Sequence, residues 1–187
     1  MISSKFNHRL RVNCDKKNSR LCIGLDINPD LLPEKQDKSI TGLLKFSKDI
    51  IDATIEFCPV YKLNMAFYER FGSNGYAWME KVVEYIGGRA ITIADGKRGD
   101  IGSTTHQYRT AIFDKIGFDS VTVSPYMGTD SILPFSEDET KGVFILCLSS
   151  NNSALDLQYH SSGSRKVYEI VADIAMGINT SDNIGLV

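Results

Sequence analysis

The chain has little that would mark it for export, a membrane or a metal. No apolar run approaches the roughly 18 residues that a membrane-spanning helix requires. The opening stretch MISSKFNHRLRVNCDKKNSR is polar and basic and has no apolar h-region, so it does not read as a signal peptide. Charge of one sign is also missing. Its 21 lysines and arginines face 23 aspartates and glutamates, a net charge of −2, which leaves no electrostatic footprint for nucleic acid or an anionic membrane. Cysteine is scarce, and Cys14, Cys22, Cys58 and Cys147 fall in neither a CxxC nor a zinc spacing. Cys22 and Cys147 lie in apolar strand-like runs, where a thiol is expected to act as a small buried hydrophobe. His8, His106 and His160 show no metal or triad spacing. No low-complexity linker interrupts the chain, so residues 1–187 read as one reduced, cytoplasmic domain, and the sequons at Asn151 and Asn179 as chance matches.

What is present is an alternation of two periods. Strand-like runs occupy 21–26, 60–64, 90–95, 120–125, 142–149 and 183–187. Helical spacing lies between them: Leu43, Leu44, Ile50, Ile51, Thr54 and Phe57; then Tyr76, Met79, Val83 and Ile86; Tyr108, Ala111 and Ile112; and Val167, Ile170, Val171 and Ile174. The stretch around 130–138 is a poorer helix, short and acidic. Strand–helix repetition implies parallel strands joined by crossovers. The strands are nearly continuous apolar runs, as in a sheet covered on both faces.

Two architectures fit, a doubly wound open sheet and a (β/α)8 barrel. Asp26, Lys62 with Asn64, Asp95, Ser124 and Ser149 fall at or near the C-terminal ends of successive strands. A barrel gathers all such ends on one rim, whereas an open sheet brings only those near its switch point to one ligand. The charges favour the barrel. It needs eight strands, and six are legible here.

The segment AITIADGKRGDIGST, 90–104, ends a buried-looking strand in Asp95, Lys97, Arg98 and Asp100. Residues i and i+2 of a strand share a face, so Asp95 and Lys97 point together if the strand runs on through Gly96, whose lack of a side chain admits close neighbours. Ser103 or Thr104 then offers a helix N-cap. Taken alone, DG after an apolar run is a turn signal with solvated charges. Lys62 and Asp26 at the ends of two preceding strands change that reading, because half-buried charges of alternating sign satisfy one another. Flanking carboxylates would hold the central lysine as an ammonium, the opposite of what a Schiff-base lysine needs.

Four stretches, LCIGLDINPD, YKLNMAFYERFG, DGKRGDIGST and TVSPYMGTDSILPF, resemble in order the signature segments of the orotidine 5′-phosphate decarboxylase family. The resemblance covers Leu21 to Val187. It implies a (β/α)8 TIM barrel, a homodimer, no organic cofactor and no metal. It implies loss of CO2 from C6 of orotidine 5′-phosphate to give UMP, the last step of de novo pyrimidine synthesis. Lys97 would be the proton donor to C6, Asp95 would sit beside the substrate carboxylate, and Lys62 would bridge Asp95 and the ribose. Asp26 would bind a ribose hydroxyl. Asp100 and Thr104 would reach the partner's site, and Ser150 would read the pyrimidine edge.

Two departures bear on activity. The resemblance places the phosphate grip, a glycine-rich loop and an arginine, after the seventh and eighth strands, so the domain is expected to lack its C-terminal part and to act weakly or not at all by itself. Asn151–Asn152–Ser153 also stands where a proline commonly follows the serine–asparagine pair. Rival readings are a magnesium-dependent sugar-phosphate lyase of the same superfamily, a Schiff-base aldolase on Lys97, and an incompetent barrel fragment serving as a dimerisation or binding module. Lys62 stands where the magnesium enzymes would want a carboxylate, and a cation repels Mg²⁺. Trp78 reads as packing, Met127 mainly as core, and Phe6, Leu10 and Val12 as a helix closing the barrel bottom.

Overall fold

A computed structural model describes residues 5–187. Six strands form one sheet: β1 (Cys22–Gly24), β2 (Val60–Asn64), β3 (Ile91–Arg98), β4 (Ser120–Val123), β5 (Gly142–Ile145) and a sixth, Ile184–Leu186. They lie side by side in chain order, and every neighbouring pair is parallel. A doubly wound sheet reverses its order at a switch point. This one never does, as when each crossover turns the same way around an axis. The architecture is the α/β barrel expected, with six of its eight β/α units present. A two-residue hairpin, Ser161–Ser162 against Arg165–Lys166, stands apart from the sheet.

The helices are α1 (Phe6–Lys16), α2 (Ile40–Thr54), α3 (Met65–Glu69), α4 (Ser73–Ile86), α5 (Gly102–Arg109), α6 (Leu133–Ser136) and α7 (Val167–Ile178). Local chemistry sets their ends. Ser39 accepts the Gly42 N–H at 3.2 Å and caps α2. Gly87, at φ +56°, closes α4 in the left-handed conformation that glycine adopts without strain. Phe57 lies beyond the end of α2 and is exposed. Tyr76 takes the outer face of α4, where its hydroxyl donates to Glu69 at 2.9 Å. Neither joins the core, contrary to their helical spacing.

Alternation along the strands sends side chains to two separate cores. Tyr61 and Leu63 of β2, Ala94 of β3, Val121 and Val123 of β4, and Val143 and Ile145 of β5 pack against the helices. Trp78 is fully buried there, 4.3 Å from the Tyr68 ring, with its indole N–H on Ser47 at 3.1 Å. The opposite face holds a smaller cluster of Phe6, Val60 and Ile91, flanked by Leu10, Ile93 and Phe144. Phe6 is the floor of the barrel. Its ring occupies the space that a side chain at Gly142 would need. Arg9 fastens α1 beneath the sheet, donating to Asp119 at 2.8 Å and to the Thr140 carbonyl at 3.0 Å. Val12, on the far side of α1, is exposed and takes no part.

Cys22 and Cys147 are less buried than their strand-like runs suggest. Cys22 is exposed because β1 is an edge strand, and Cys147 is only partly covered just past β5. Cys14 and Cys58 are the buried pair. Met127 is also exposed, in the loop after β4, and does not pack in the core.

Candidate active site

With the floor apolar, the C-terminal ends of β1 to β3 carry the charges. β2 and β3 pair with Asn64 opposite Asp95 and Lys62 opposite Ile93. Lys62 therefore starts two residues below Asp95 and climbs toward the rim. Its Nζ lies 3.1 Å from Asp95 Oδ2 and 3.5 Å from Asp26 Oδ2. On the far side of Asp95, Lys97 Nζ donates to Oδ1 at 2.7 Å. The result is a continuous row, Asp26–Lys62–Asp95–Lys97, of alternating sign.

Each member is held from its own element. The Asn64 N–H donates to Asp26 Oδ1 at 3.0 Å, while the Asn64 side chain accepts from Ala66 N–H at 3.2 Å and starts α3 at once. Tyr68 of α3, fully buried, donates to the Leu25 carbonyl at 2.9 Å, directly beside Asp26. Burial, then the charge of Asp26, pushes the Tyr68 phenol far up, so it remains a neutral donor. Burial alone would raise the Asp95 carboxyl. The hydrogen bonds from Lys97 and Lys62, with the Lys62 charge and Thr122, outweigh it and hold Asp95 below the ordinary carboxylate value. Burial likewise works against the Lys62 ammonium, and the Asp95 and Asp26 carboxylates overcome it, raising Lys62 above an ordinary lysine.

Asp95 and Lys97 do meet, but not through a regular strand. The β3–β4 register shifts between Ala94 and Arg98, and Lys97 has φ +44°, a left-handed value uncommon for a side chain of its kind. The bulge turns Arg98 the other way, into the helix layer, where it pairs with Glu69 of α3 and lies over the Tyr108 ring at 5.4 Å. Gly96 leaves room between them: a Cβ there would stand 2.7 Å from Met65 Sδ, which would have to shift.

The remaining sequence candidates are placed differently. Asp100 does not join the row; its carboxylate accepts from Ile101 N–H at 2.8 Å, and Asp26 is the fourth member instead. Thr104 is exposed in the first turn of α5. Neither Ser103 nor Thr104 caps that helix. Ile101 occupies the N-cap position without a side-chain bond, and the Thr105 hydroxyl donates back to the Asp100 carbonyl. Ser150 is exposed and lines a cleft of about 440 Å³ with Ser149, Asn151 and Tyr159. Gln158 bonds both the Ser149 amide, at 2.7 Å, and the Ser149 hydroxyl, fixing that loop. His8, His106 and His160 are exposed, and no group of three or more His, Cys, Asp or Glu among the described residues is arranged to hold a metal ion.

Sequence reasoning missed Thr122. It is buried on β4, accepts the Lys97 N–H at 2.9 Å and donates to Asp95 Oδ1 at 3.0 Å. A polar residue at the alternate position of Ser-Val-Thr-Val was the available signal.

An α/β barrel with a row of fixed opposite charges on its rim, and a floor sealed by an aromatic ring, defines an enzyme class that works by electrostatics at strand ends. Comparisons with known proteins give the family. The family model described as Orotidine 5'-phosphate decarboxylase / HUMPS family matches residues 19–187, and the chain belongs to that family. The orotidine 5'-phosphate decarboxylase of Dehalococcoides mccartyi strain CBDB1 is 44% identical over 187 residues, covering 98% of this chain and 67% of the relative. The solved Leishmania donovani OMP decarboxylase superposes with a TM-score of 0.86 at 36% identity, covering 97% of this chain and 69% of that one. A structure from Streptomyces avermitilis, described as a putative orotidine 5'-phosphate decarboxylase, gives 0.83 at 33%, covering 100% and 70%.

Proposed function

We propose that the chain decarboxylates orotidine 5′-phosphate to UMP, with Lys97, Asp95 and Lys62 at the reacting centre and Asp26 and Ser150 binding substrate. The row of charges carries this reading. Breaking the C6–carboxylate bond leaves its electron pair in the plane of the ring, outside the π system. Without an organic electron sink, a fixed cation must meet that charge as it forms. The Lys97 ammonium, 2.7 Å from Asp95, is such a cation. CO2 departs, the electron pair takes a proton from Lys97 Nζ, and the resulting amine regains its proton from water. Each tenfold in rate corresponds to about 1.4 kcal/mol of barrier.

Asp95 stands beside the substrate carboxylate, and Lys62 spans Asp95 and the ribose. Asp26, anchored by the Asn64 amide, takes a ribose hydroxyl. Ser150 in its cleft reads the pyrimidine edge. Asp100, in the loop before α5, and Thr104, exposed in its first turn, are the residues that reach a second copy of the chain in this reading. The working form in this reading is a cytoplasmic homodimer. Two further strand–helix units, bearing the phosphate grip, would complete the barrel of a chain that spans about two thirds of the length of its relatives.

The magnesium-lyase reading is disfavoured because the Lys62 ammonium lies between Asp26 and Asp95, the carboxylates a dication would need. The test is incubation of the purified chain with millimolar orotidine 5′-phosphate in D2O. UMP deuterated at C6, released with CO2 and lost in Lys97→Ala, is expected. Turnover untouched by Lys97→Ala overturns the reading, no turnover by the unsubstituted chain overturns it in favour of the incompetent barrel fragment, and inhibition by a chelator favours the lyase.

A further inference from the structure

We infer that Thr122 is a positioning residue, whose one hydroxyl sets both the backbone of Lys97 and the carboxylate of Asp95. The hydroxyl bridges two groups of fixed polarity. A backbone N–H only donates and an ionised carboxylate only accepts, so the bridge runs one way: Lys97 N–H to Thr122 Oγ1 at 2.9 Å, then Thr122 O–H to Asp95 Oδ1 at 3.0 Å. Lys97 Nζ reaches the same Oδ1 at 2.7 Å. Residue 97 thus holds Asp95 from both ends, by its side chain directly and by its backbone through Thr122.

This closed ring accounts for the conformation of Lys97. At φ +44° a lysine pays a steric penalty that must be offset by its surroundings. The bulge removes its N–H from the β3–β4 ladder, and Thr122 supplies the acceptor instead. Thr122 is nearly inaccessible to solvent, so water does not replace it readily. Asp95 is pinned at Oδ1 by Thr122 and Lys97 and at Oδ2 by Lys62. A substrate carboxylate placed against Asp95 would push it aside; the three donors hold it still. Thr122 touches no reacting atom, and its effect passes through the aim of Lys97 and Asp95.

The geometry inference stands apart from the proposed function; only its kinetic arm rests on that reading. In the unsubstituted chain, amide hydrogen exchange should show Lys97 N–H protected, and exchange at the rate of an open loop overturns the inference without any variant. In Thr122→Val, which matches the shape but lacks the hydroxyl, Lys97 exchange should accelerate about tenfold or more while the Ala94 amide is unchanged. The Asp95 carboxyl, followed by NMR, should titrate at higher pH. Thr122→Ser should restore both. Equal acceleration at Ala94 and Lys97 in Thr122→Val, or no change at either, overturns the inference. In the kinetic arm kcat should fall by up to about a hundredfold with KM within twofold, and Thr122→Ser should recover it; a fall confined to KM counts against positioning. If the unsubstituted chain turns nothing over, the proposed function fails while exchange and titration still decide the role of Thr122.

Discussion

Lys62 and Asp95 begin two residues out of register on adjacent strands and still close to 3.1 Å, because the lysine stem runs up the inner wall to the rim. This relationship sets the pH range in which the site holds together. Asp95 titrates below the ordinary carboxylate value of about 3.9, so its contribution to stability is present above that value and lost as pH falls through the lowered pKa. Lys62 titrates above the ordinary lysine value of about 10.4, so its contribution is present below that value and lost as pH rises through the raised pKa. Asp95→Asn should flatten the acid limb and move the alkaline limb to lower pH. Urea midpoints measured from pH 2 to 11 would show this, and superimposable profiles would refute the coupling.

Tyr68→Phe should destabilise the chain by about 1–2 kcal/mol, because the Leu25 carbonyl loses a buried donor at 2.9 Å. The removed oxygen lies beside Asp26, so ribose-bearing ligands should also bind less tightly. Urea unfolding and calorimetric titration with UMP measure the two effects. A stability loss with unchanged UMP affinity would confine Tyr68 to the core.

Phe6→Ala should cost about 3–5 kcal/mol, the range for emptying an aromatic core position, since Phe6 is 4% exposed over Val60 and Ile91. Gly142→Ala should destabilise from the other direction, by driving a methyl into the Phe6 ring. Combining the two should cost less than their sum, because the clash disappears with the ring. Full additivity in thermal or urea unfolding would show that the two positions do not share the floor.

Glu69→Gln should cost about 1–2 kcal/mol, because it leaves the partly buried Arg98 guanidinium without its counter-ion. Arg98→Met placed on top should recover part of the loss. A double-mutant cycle by denaturant unfolding reads the coupling, and a coupling near zero would mean that the pair only decorates the surface.

The strands were legible in the sequence because strands covered on both faces are written as short apolar runs, and Asp95 and Lys97 because charge at the end of such a run is conspicuous. Asp26 was visible for the same reason. Thr122 was not, since one hydroxyl between two valines carries no sign of which strand it will meet. The conformation of Lys97 was hidden too. It depends on the shifted β3–β4 register, a pairing between segments about 25 residues apart rather than a local preference. The exposure of Cys22 was hidden because burial in a strand depends on whether the strand is central, and β1 lies at an edge of the six-stranded sheet. Asp100 stands outside the row within one chain, because a loop can turn a charge away from its neighbours as easily as toward them.

The floor helix also fixes an order of events at the ribosome. Phe6 and Arg9 are among the first residues made, yet their seats include Phe144, Asp119 and the Thr140 carbonyl. At 5–20 residues per second, on the order of ten seconds pass before those partners are synthesised. Through that interval α1 has only part of its seat, Val60 and Ile91, and a nascent-chain chaperone that covers its apolar side would guard a helix waiting for the rest.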